Sequence, residues 1–232
     1  MNFWHMIDSF FYINKETKKL IQKIMQFVFF IVLIIFIAVV IYFGYKQYTF
    51  RKEAAAQQSL AHVMTLFKDY NNKTTADKSQ DLESIVKEIK EARESNKNSS
   101  LAPYFSQLLS KIYASDKQNN TEALKVLEEG ILEAQDSLTK NILKTNHALM
   151  LLDLQDAELH KEGINELRNL IDDTENPIRD ISQFYLGKYF WIKNDIEMAK
   201  MIWQQFLDEQ AQNRIAPSPF VSEVQLSLSS LV

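Results

Sequence analysis

An uncharged stretch of twenty-one residues, Met25–Tyr45, is the feature of this chain that most restricts its structure. Lys23 and Lys46 are the nearest charged side chains on either side. At the α-helical rise of about 1.5 Å per residue, such a stretch crosses the roughly 30 Å hydrocarbon layer of a bilayer. The sequence therefore predicts one membrane-spanning helix over residues 24–45, preceded by a short segment, residues 1–23.

A secretory signal peptide also places an apolar core after basic residues. Such cores measure roughly 7–15 residues and lead to small side chains at a cleavage site. Here the apolar run is longer, and it ends with Tyr42, Phe43 and Tyr45. Length and flanks favour a retained anchor, and the two tyrosines are typical of a membrane–water interface.

Basic residues near the span are slightly more numerous on its N-terminal side: Lys15, Lys18, Lys19 and Lys23 precede it, and Lys46, Arg51 and Lys52 follow it. Because the flank richer in Lys and Arg tends to stay in the cytoplasm, we expect residues 1–23 to be cytoplasmic. Residues 46–232 then lie on the outer side.

The first residues of the chain carry a second apolar pattern, at helical spacing: Phe3, Trp4, Ile7, Phe10 and Phe11. This pattern fits an amphipathic helix lying in the membrane interface. It equally fits an apolar terminus without regular structure.

Composition restricts the fold and function of residues 46–232. The formal net charge of the whole chain, -4, gives no basic surface for nucleic acid. With no cysteine, the chain has no disulfide and no thiolate ligand or nucleophile. Its four scattered glycines are too few for the tight turns of an all-β fold, and they form no phosphate-binding loop.

Apolar residues at helical spacing, separated by polar turns, instead predict an all-α fold with a helical stem over residues 46–100. Several helix starts are indicated after the stem. Asn176-Pro177 and Ser218-Pro219 each combine a capping side chain with a proline suited to the first helical turn. Asn194, with Glu197 three residues later, has the spacing of a capping box.

The helices of residues 101–232 come in pairs with a repeating pattern. The clearest unit has the spacing of a tetratricopeptide repeat, whose small residues let two helices approach while aromatic residues fill the space between them: Leu186, Gly187, Phe190, Ala199 and Trp203. Two weaker units precede it, and Ala123, Gly163 and Ala199 follow at intervals of 40 and 36 residues. These intervals lie near the repeat length of about 34 residues. The sequence predicts a tetratricopeptide-like helical-hairpin solenoid with a C-terminal capping helix, and a generic helical bundle is the alternative.

The closing segment Ala216-Pro217-Ser218-Pro219-Phe220-Val221-Ser222-Glu223-Val224-Gln225-Leu226, with Leu228 and Leu231, completes a specific arrangement. A short N-terminal segment, one span, a helical stem, degenerate repeats and this ending together resemble the YfgM-like family over nearly the whole chain. The resemblance implies a single-pass protein of the bacterial inner membrane, with its tetratricopeptide domain in the periplasm. It also implies an ancillary subunit of the SecYEG translocon that works with a periplasmic chaperone on exported proteins.

No residue pattern indicates an enzyme or a cofactor. The four histidines, His5, His62, His147 and His160, form no His-x-x-x-His pair, and acidic pairs such as Glu128-Glu129 are typical of solvated helix faces. His147 lies beside an apolar helix face, where a structural role is the more common one. We therefore expect no catalytic, metal or cofactor-binding residue.

Repeat domains of this kind bind partners along the first helix of each pair. Projecting the repeat register onto that face gives a candidate protein-binding surface: Tyr104, Gln107, Lys111, Thr145, Phe184, Lys188 and Trp191. Packing of its aromatic residues in the core is the alternative. The expected partners are translocon subunits, a periplasmic chaperone or client chains. The alternative function is a homodimeric scaffold of an envelope complex, with the groove filled by the chain's own terminal helix.

Overall fold

The computed structural model of the protein describes residues 15–72, 75–212 and 218–231. This part of the chain contains nine α-helices and no strand, so the expected all-α fold is confirmed. The apolar pattern of residues 3–11, for which an interfacial helix and an irregular terminus were both expected alternatives, lies outside the described residues. The helices are α1 Lys15–Asn71, α2 Thr75–Ser95, α3 Ala102–Ser115, α4 Asn120–Glu133, α5 Ser137–Asp153, α6 Ala157–Asp172, α7 Arg179–Ile192, α8 Ile196–Gln212 and α9 Val221–Ser230.

The chain divides into two compact units, residues 1–52 and residues 53–232. In the first unit, α1 carries the apolar stretch, where mean hydropathy reaches 3.3 over an 18-residue window. Apolar side chains along this stretch, such as Phe29 and Ile34, are exposed on every face of the helix. A helix of a soluble domain normally buries one apolar stripe. α1 is therefore long and apolar enough to cross a membrane.

In the second unit, helices pack on their neighbours in the sequence. α3 packs on α4, α5 on α6 and α7 on α8, and a short connection joins the two helices of each pair. Successive pairs also contact one another, through α4 with α5 and α6 with α7. The first helices α3, α5 and α7 contact each other in that order. The first helices of successive pairs therefore lie beside one another.

The core of this unit consists of three apolar clusters. The first joins the end of α1 to α2, α3 and α4, and includes Phe67, Ile89 and Phe105. The second lies between α5, α6, α7 and α8. The third surrounds Trp203 and includes Val224 of α9. Every helix of the unit contributes to at least one cluster, so burial of apolar surface is the main force that holds them together.

Short polar side chains begin several of these helices by accepting hydrogen bonds from free backbone N–H groups. The Asn119 side chain accepts from the backbone N–H of Glu122 at 3.1 Å. Asp136 accepts from Thr139 at 2.8 Å. This hydrogen bond is the first cause of a lowered pKa of the Asp136 carboxyl.

Three predicted helix starts differ in detail from the structure. α8 is capped by Asp195, whose carboxylate accepts from the backbone N–H of Met198 at 3.2 Å, and not by Asn194. Asn194 instead adopts a φ of 62°, in the left-handed region that asparagine tolerates in turns. Asn176-Pro177 and Ser218-Pro219 each form a turn, and the helices begin two residues later, at Arg179 and Val221.

The predicted packing residues of the last hairpin lie at the contact between α7 and α8. A Cβ atom at Gly187 would lie 2.5 Å from Cδ1 of the Trp203 indole. Trp203 is 1% exposed, and its Nε1–H donates a hydrogen bond to the carbonyl oxygen of Phe184 at 3.2 Å. The other predicted packing residues of the last hairpin are buried or half-buried: Leu186, Phe190 and Ala199. The absence of a side chain at Gly187 is therefore what allows the indole to approach α7.

Candidate protein-binding groove

A cavity of about 880 Å³ lies within the second unit, between the last turns of α1 and the first helices α3 and α5. We call it the groove. Its apolar lining comes from all three helices: Leu60, Met64 and Phe67 of α1, Leu108 of α3, and Leu149 and Met150 of α5. Met64 is 51% exposed, so the groove is accessible from solvent. This volume falls in the range of typical ligand-binding clefts.

Polar side chains occupy defined positions along the groove. Lys111 of α3 is exposed, and its Nζ lies 5.6 Å from the centre of the Phe67 ring, at cation–π distance. Asp153, also exposed, contributes a carboxylate at the end of α5. Tyr104 lines the groove with its hydroxyl 3.5 Å from that of Thr139. The groove therefore combines an apolar floor with one cationic and one anionic position.

Three residues of the predicted binding surface line the groove: Tyr104, Gln107 and Lys111. Thr145 does not, because it is buried and its hydroxyl donates to the carbonyl oxygen of Asn141 at 2.9 Å. The α5 side of the groove is instead formed by Asn146, Leu149 and Met150. These three residues were not predicted from the sequence. Leu149 lies one helical turn after Thr145, so the 3.6-residue period was the available signal.

Two of the other predicted surface residues, Phe184 and Lys188, contact the C-terminal segment that contains α9. The Phe184 ring is buried and stacks on the Phe220 ring, with 4.4 Å between centroids and 17° between planes. Lys188 lies 5.4 Å from the centre of the Phe184 ring and 3.4 Å from the Glu223 carboxylate. Trp191 is 39% exposed, and the centre of its ring lies 6.0 Å from that of Trp203. One end of the predicted surface is therefore covered by the chain's own terminal segment.

Ion pairs connect neighbouring helices of the second unit. Arg93 of α2 contacts Glu129 at 2.8 Å and Glu133 at 2.7 Å, both on α4. Burial of Arg93 lowers the guanidinium pKa, but the hydrogen bonds that the guanidinium donates to these two carboxylates outweigh the effect of burial, and the pKa is raised. The guanidinium therefore fixes α2 against the first hairpin.

His147 of α5 links three helices. Its Nδ1 lies 2.7 Å from the Glu166 carboxylate on α6, and its Nε2 lies 3.6 Å from Glu128 on α4. Burial lowers the pKa of His147, but the hydrogen bond with Glu166 and the charges of Glu166, Glu128 and Glu162 raise it above its usual value. His147 therefore has the partners of a structural residue.

The remaining described histidines also have partners. His62 lies 2.7 Å from the Glu88 carboxylate, and a ring nitrogen of His160 contacts the carbonyl oxygen of Leu154. Over residues 15–72, 75–212 and 218–231, no group of three or more His, Asp or Glu side chains is arranged to hold a metal ion.

Comparisons with known proteins found no matching family model, no matching curated protein and no matching solved structure. Over the part of the chain that the structure describes, the fold defines a class: an all-helical protein in which one helix near the N-terminus is long and apolar enough to cross a membrane and is followed by a second helical unit.

Proposed function

We propose that this chain is a single-pass protein of the bacterial inner membrane that binds other proteins through the groove. It acts beside the Sec translocon and periplasmic chaperones and assists the handling of exported proteins. The groove is the observation that carries the proposal. It offers apolar side chains from three helices around Lys111, and adaptable methionine walls are common at surfaces that bind varied protein segments.

The packing of the second unit supports a tetratricopeptide-like solenoid as its architecture. Successive hairpins contact in chain order, and the first helices contact each other. Small residues lie where helices approach closely, since a Cβ at Gly163 would lie 2.7 Å from the carbonyl oxygen of Ala148. In such arrays the first helix of each pair lines the surface that binds partners. The groove is lined by two such helices, α3 and α5.

Compartment and orientation belong to the same proposal. Their support is the excess of basic residues before the span and the resemblance of the chain to YfgM-like proteins. In this topology residues 1–23 are cytoplasmic and residues 46–232 are periplasmic.

The terminal segment covers the α7 end of the predicted binding surface, as the scaffold alternative expects, but it leaves the groove open for a partner. Phe220 and Glu223 contact Phe184 and Lys188 at α7, whereas the groove lies between α1, α3 and α5. A self-associating scaffold remains the alternative, and the mass of the purified full chain in detergent at several concentrations separates the two.

Site-specific photocrosslinking tests the binding role. p-Benzoylphenylalanine is placed in the full chain at Leu108, which lines the groove, or at Leu132, which is exposed on α4. We expect crosslinks to a translocon subunit, a periplasmic chaperone or an exported chain from position 108 and not from position 132. The same products from both positions, or no protein product from position 108, would refute the proposal.

The absence of natural cysteine allows a direct test of orientation. Leu132→Cys and Asn2→Cys each introduce a single thiol into the full chain. A membrane-impermeant maleimide, added after the outer membrane has been opened, is expected to label the first variant and leave the second unlabelled. The reverse pattern would place the helical unit in the cytoplasm.

A further inference from the structure

Two stretches of the chain occupy the same register of the proposed repeat and each carry an accessible lysine. Residues 109, 110 and 113 of α3 and residues 186, 187 and 190 of α7 occupy equivalent repeat positions, 77 residues apart. By the same offset, Lys111 corresponds to Lys188, and Gln107 and Leu108 correspond to Phe184 and Tyr185. The α3 side of the groove and the surface beneath α9 therefore lie at equivalent positions of two repeats.

The surface on α7 is covered by the C-terminal segment of the same chain. Phe220 stacks on Phe184 at 4.4 Å, and Glu223, three residues later, lies 3.4 Å from the Lys188 amine. Val224, four residues after Phe220, is fully buried in the same cluster. Residues three and four apart lie on one side of a helix. The occupant is thus the start of a short helix that presents an aromatic ring, a carboxylate and an aliphatic side chain together.

The groove shares one feature with the surface that this occupant contacts, a lysine amine beside an aromatic ring. Lys111 lies 5.6 Å from the centre of the Phe67 ring, as Lys188 lies 5.4 Å from that of Phe184. In the groove the ring is that of Phe67 on α1, and in the surface beneath α9 it is that of Phe184 on α7. Within the described residues Lys111 has no carboxylate within ion-pair distance, whereas Lys188 has Glu223. An exposed amine beside an aromatic ring and apolar walls attracts the same kind of segment.

We infer that the groove binds an amphipathic helix of a partner protein, in which an aromatic residue is followed by a carboxylate three positions later and an aliphatic residue four positions later. The carboxylate pairs with Lys111, and the apolar side chains contact the methionines and leucines of the groove. This inference rests on the proposed protein-binding function and specifies the partner segment. Helix-in-groove recognition of this kind uses anchors at such spacings.

A synthetic peptide with the sequence of residues 218–231 serves as the probe, because it carries the required pattern. The peptide is labelled with a fluorophore and added to the full chain in nanodiscs of neutral lipid, and binding is followed by anisotropy. Lys111→Glu is expected to weaken binding about fivefold or more, because it replaces an attraction with a repulsion. Lys140→Glu, an exposed change outside the groove on α5, is the matched control and is expected to leave binding unchanged.

A charge exchange makes the test specific. The peptide with lysine in place of its glutamate is expected to bind the natural chain weakly and Lys111→Glu more tightly. Equal affinity of both peptides for both chains would overturn the inference.

A second measurement locates the peptide. With p-benzoylphenylalanine in place of the phenylalanine of the peptide, crosslinks to Phe67, Leu108 or Lys111 support the inference. Crosslinks confined to Phe184 and Tyr185 would show exchange with α9 and would overturn it. If position 108 of the full chain captures a protein in cells while the charge exchange has no effect, the inference fails and the proposed function stands. If position 108 captures no protein, the proposed function itself fails.

Discussion

Replacing Gly187 with alanine tests whether the close contact between α7 and Trp203 organises the last hairpin. The new Cβ would lie 2.5 Å from Cδ1 and 2.8 Å from Cε2 of the indole, and it would also contact Nε1. Trp203 is a rigid side chain, buried in a packed cluster, so the ring or the helix must shift. Gly187→Ala is therefore expected to destabilise the second unit even though alanine favours helix.

The expected magnitude combines three terms. Overpacking of a core costs about 1–3 kcal/mol. Displacement of the ring weakens the hydrogen bond from Nε1 to Phe184, worth about 1 kcal/mol. Alanine gains about 1 kcal/mol over glycine in helix propensity. The net loss in free energy of unfolding is about 1–3 kcal/mol, or roughly 2–12 °C in melting temperature.

Urea unfolding of the full chain in detergent micelles, followed by circular dichroism at 222 nm, measures this loss. The control is Gly44→Ala, because no atom lies within 4 Å of the Cβ that it would add. We expect no change in the transition of the second unit for this control.

A double-mutant cycle identifies the cause. In the first hairpin the positions equivalent to Gly187 and Trp203 hold Ser110 and Leu127. A leucine on the second helix is therefore compatible with a side chain at the glycine position of the first helix. Trp203→Leu alone leaves a cavity and destabilises the unit. Adding Gly187→Ala to Trp203→Leu should be neutral or stabilising by up to about 1 kcal/mol. If Gly187→Ala costs as much in that background as in the natural chain, contact with the indole is not the cause.

Two further predictions concern the ion pairs between helices. Because the folded-state pKa of His147 is raised, protonation stabilises the folded chain below about pH 6.5, and this stabilisation is lost as the pH rises through the folded-state value. Urea unfolding at a series of pH values should show this fall in the natural chain and lose it in His147→Gln, and an unchanged pH profile in the variant would contradict the assignment. Arg93→Met should lower the free energy of unfolding by about 1–3 kcal/mol, since it leaves Glu133, which is largely buried, without its cation. Lys97→Met, at an exposed pair with Glu94, is its matched control and should change stability by less than about 1 kcal/mol, and an equal loss in both variants would refute the role of Arg93.

The all-α fold and the candidate span were predictable because both depend on local pattern. An uninterrupted apolar run and the 3.6-residue period act within a single helix, so no long-range information is needed. Helix starts were less accurate. The asparagine at 194 and the aspartate at 195 can both cap a helix, and the left-handed φ of Asn194 decided between them.

The groove was only partly predictable. Tyr104, Gln107 and Lys111 were accessible to sequence reasoning because they share one helix and one period. The role of Phe67 was not, because it depends on how α1 passes α3, and their contact residues lie far apart in the sequence. Coverage of Phe184 by Phe220 depends likewise on the path that the chain takes after α8. Such tertiary contacts have no local signature in a single sequence.

The C-terminal helix has a consequence for how the chain behaves at high concentration. A row of stacked hairpins ends in an apolar side that would suit the first hairpin of another molecule, and head-to-tail contacts of that type do not close and can grow into fibres. In this chain Val224 and Phe220 occupy that side, against Phe184 and Phe206. The last ten-residue helix thus covers an apolar side of the final hairpin that would otherwise face solvent.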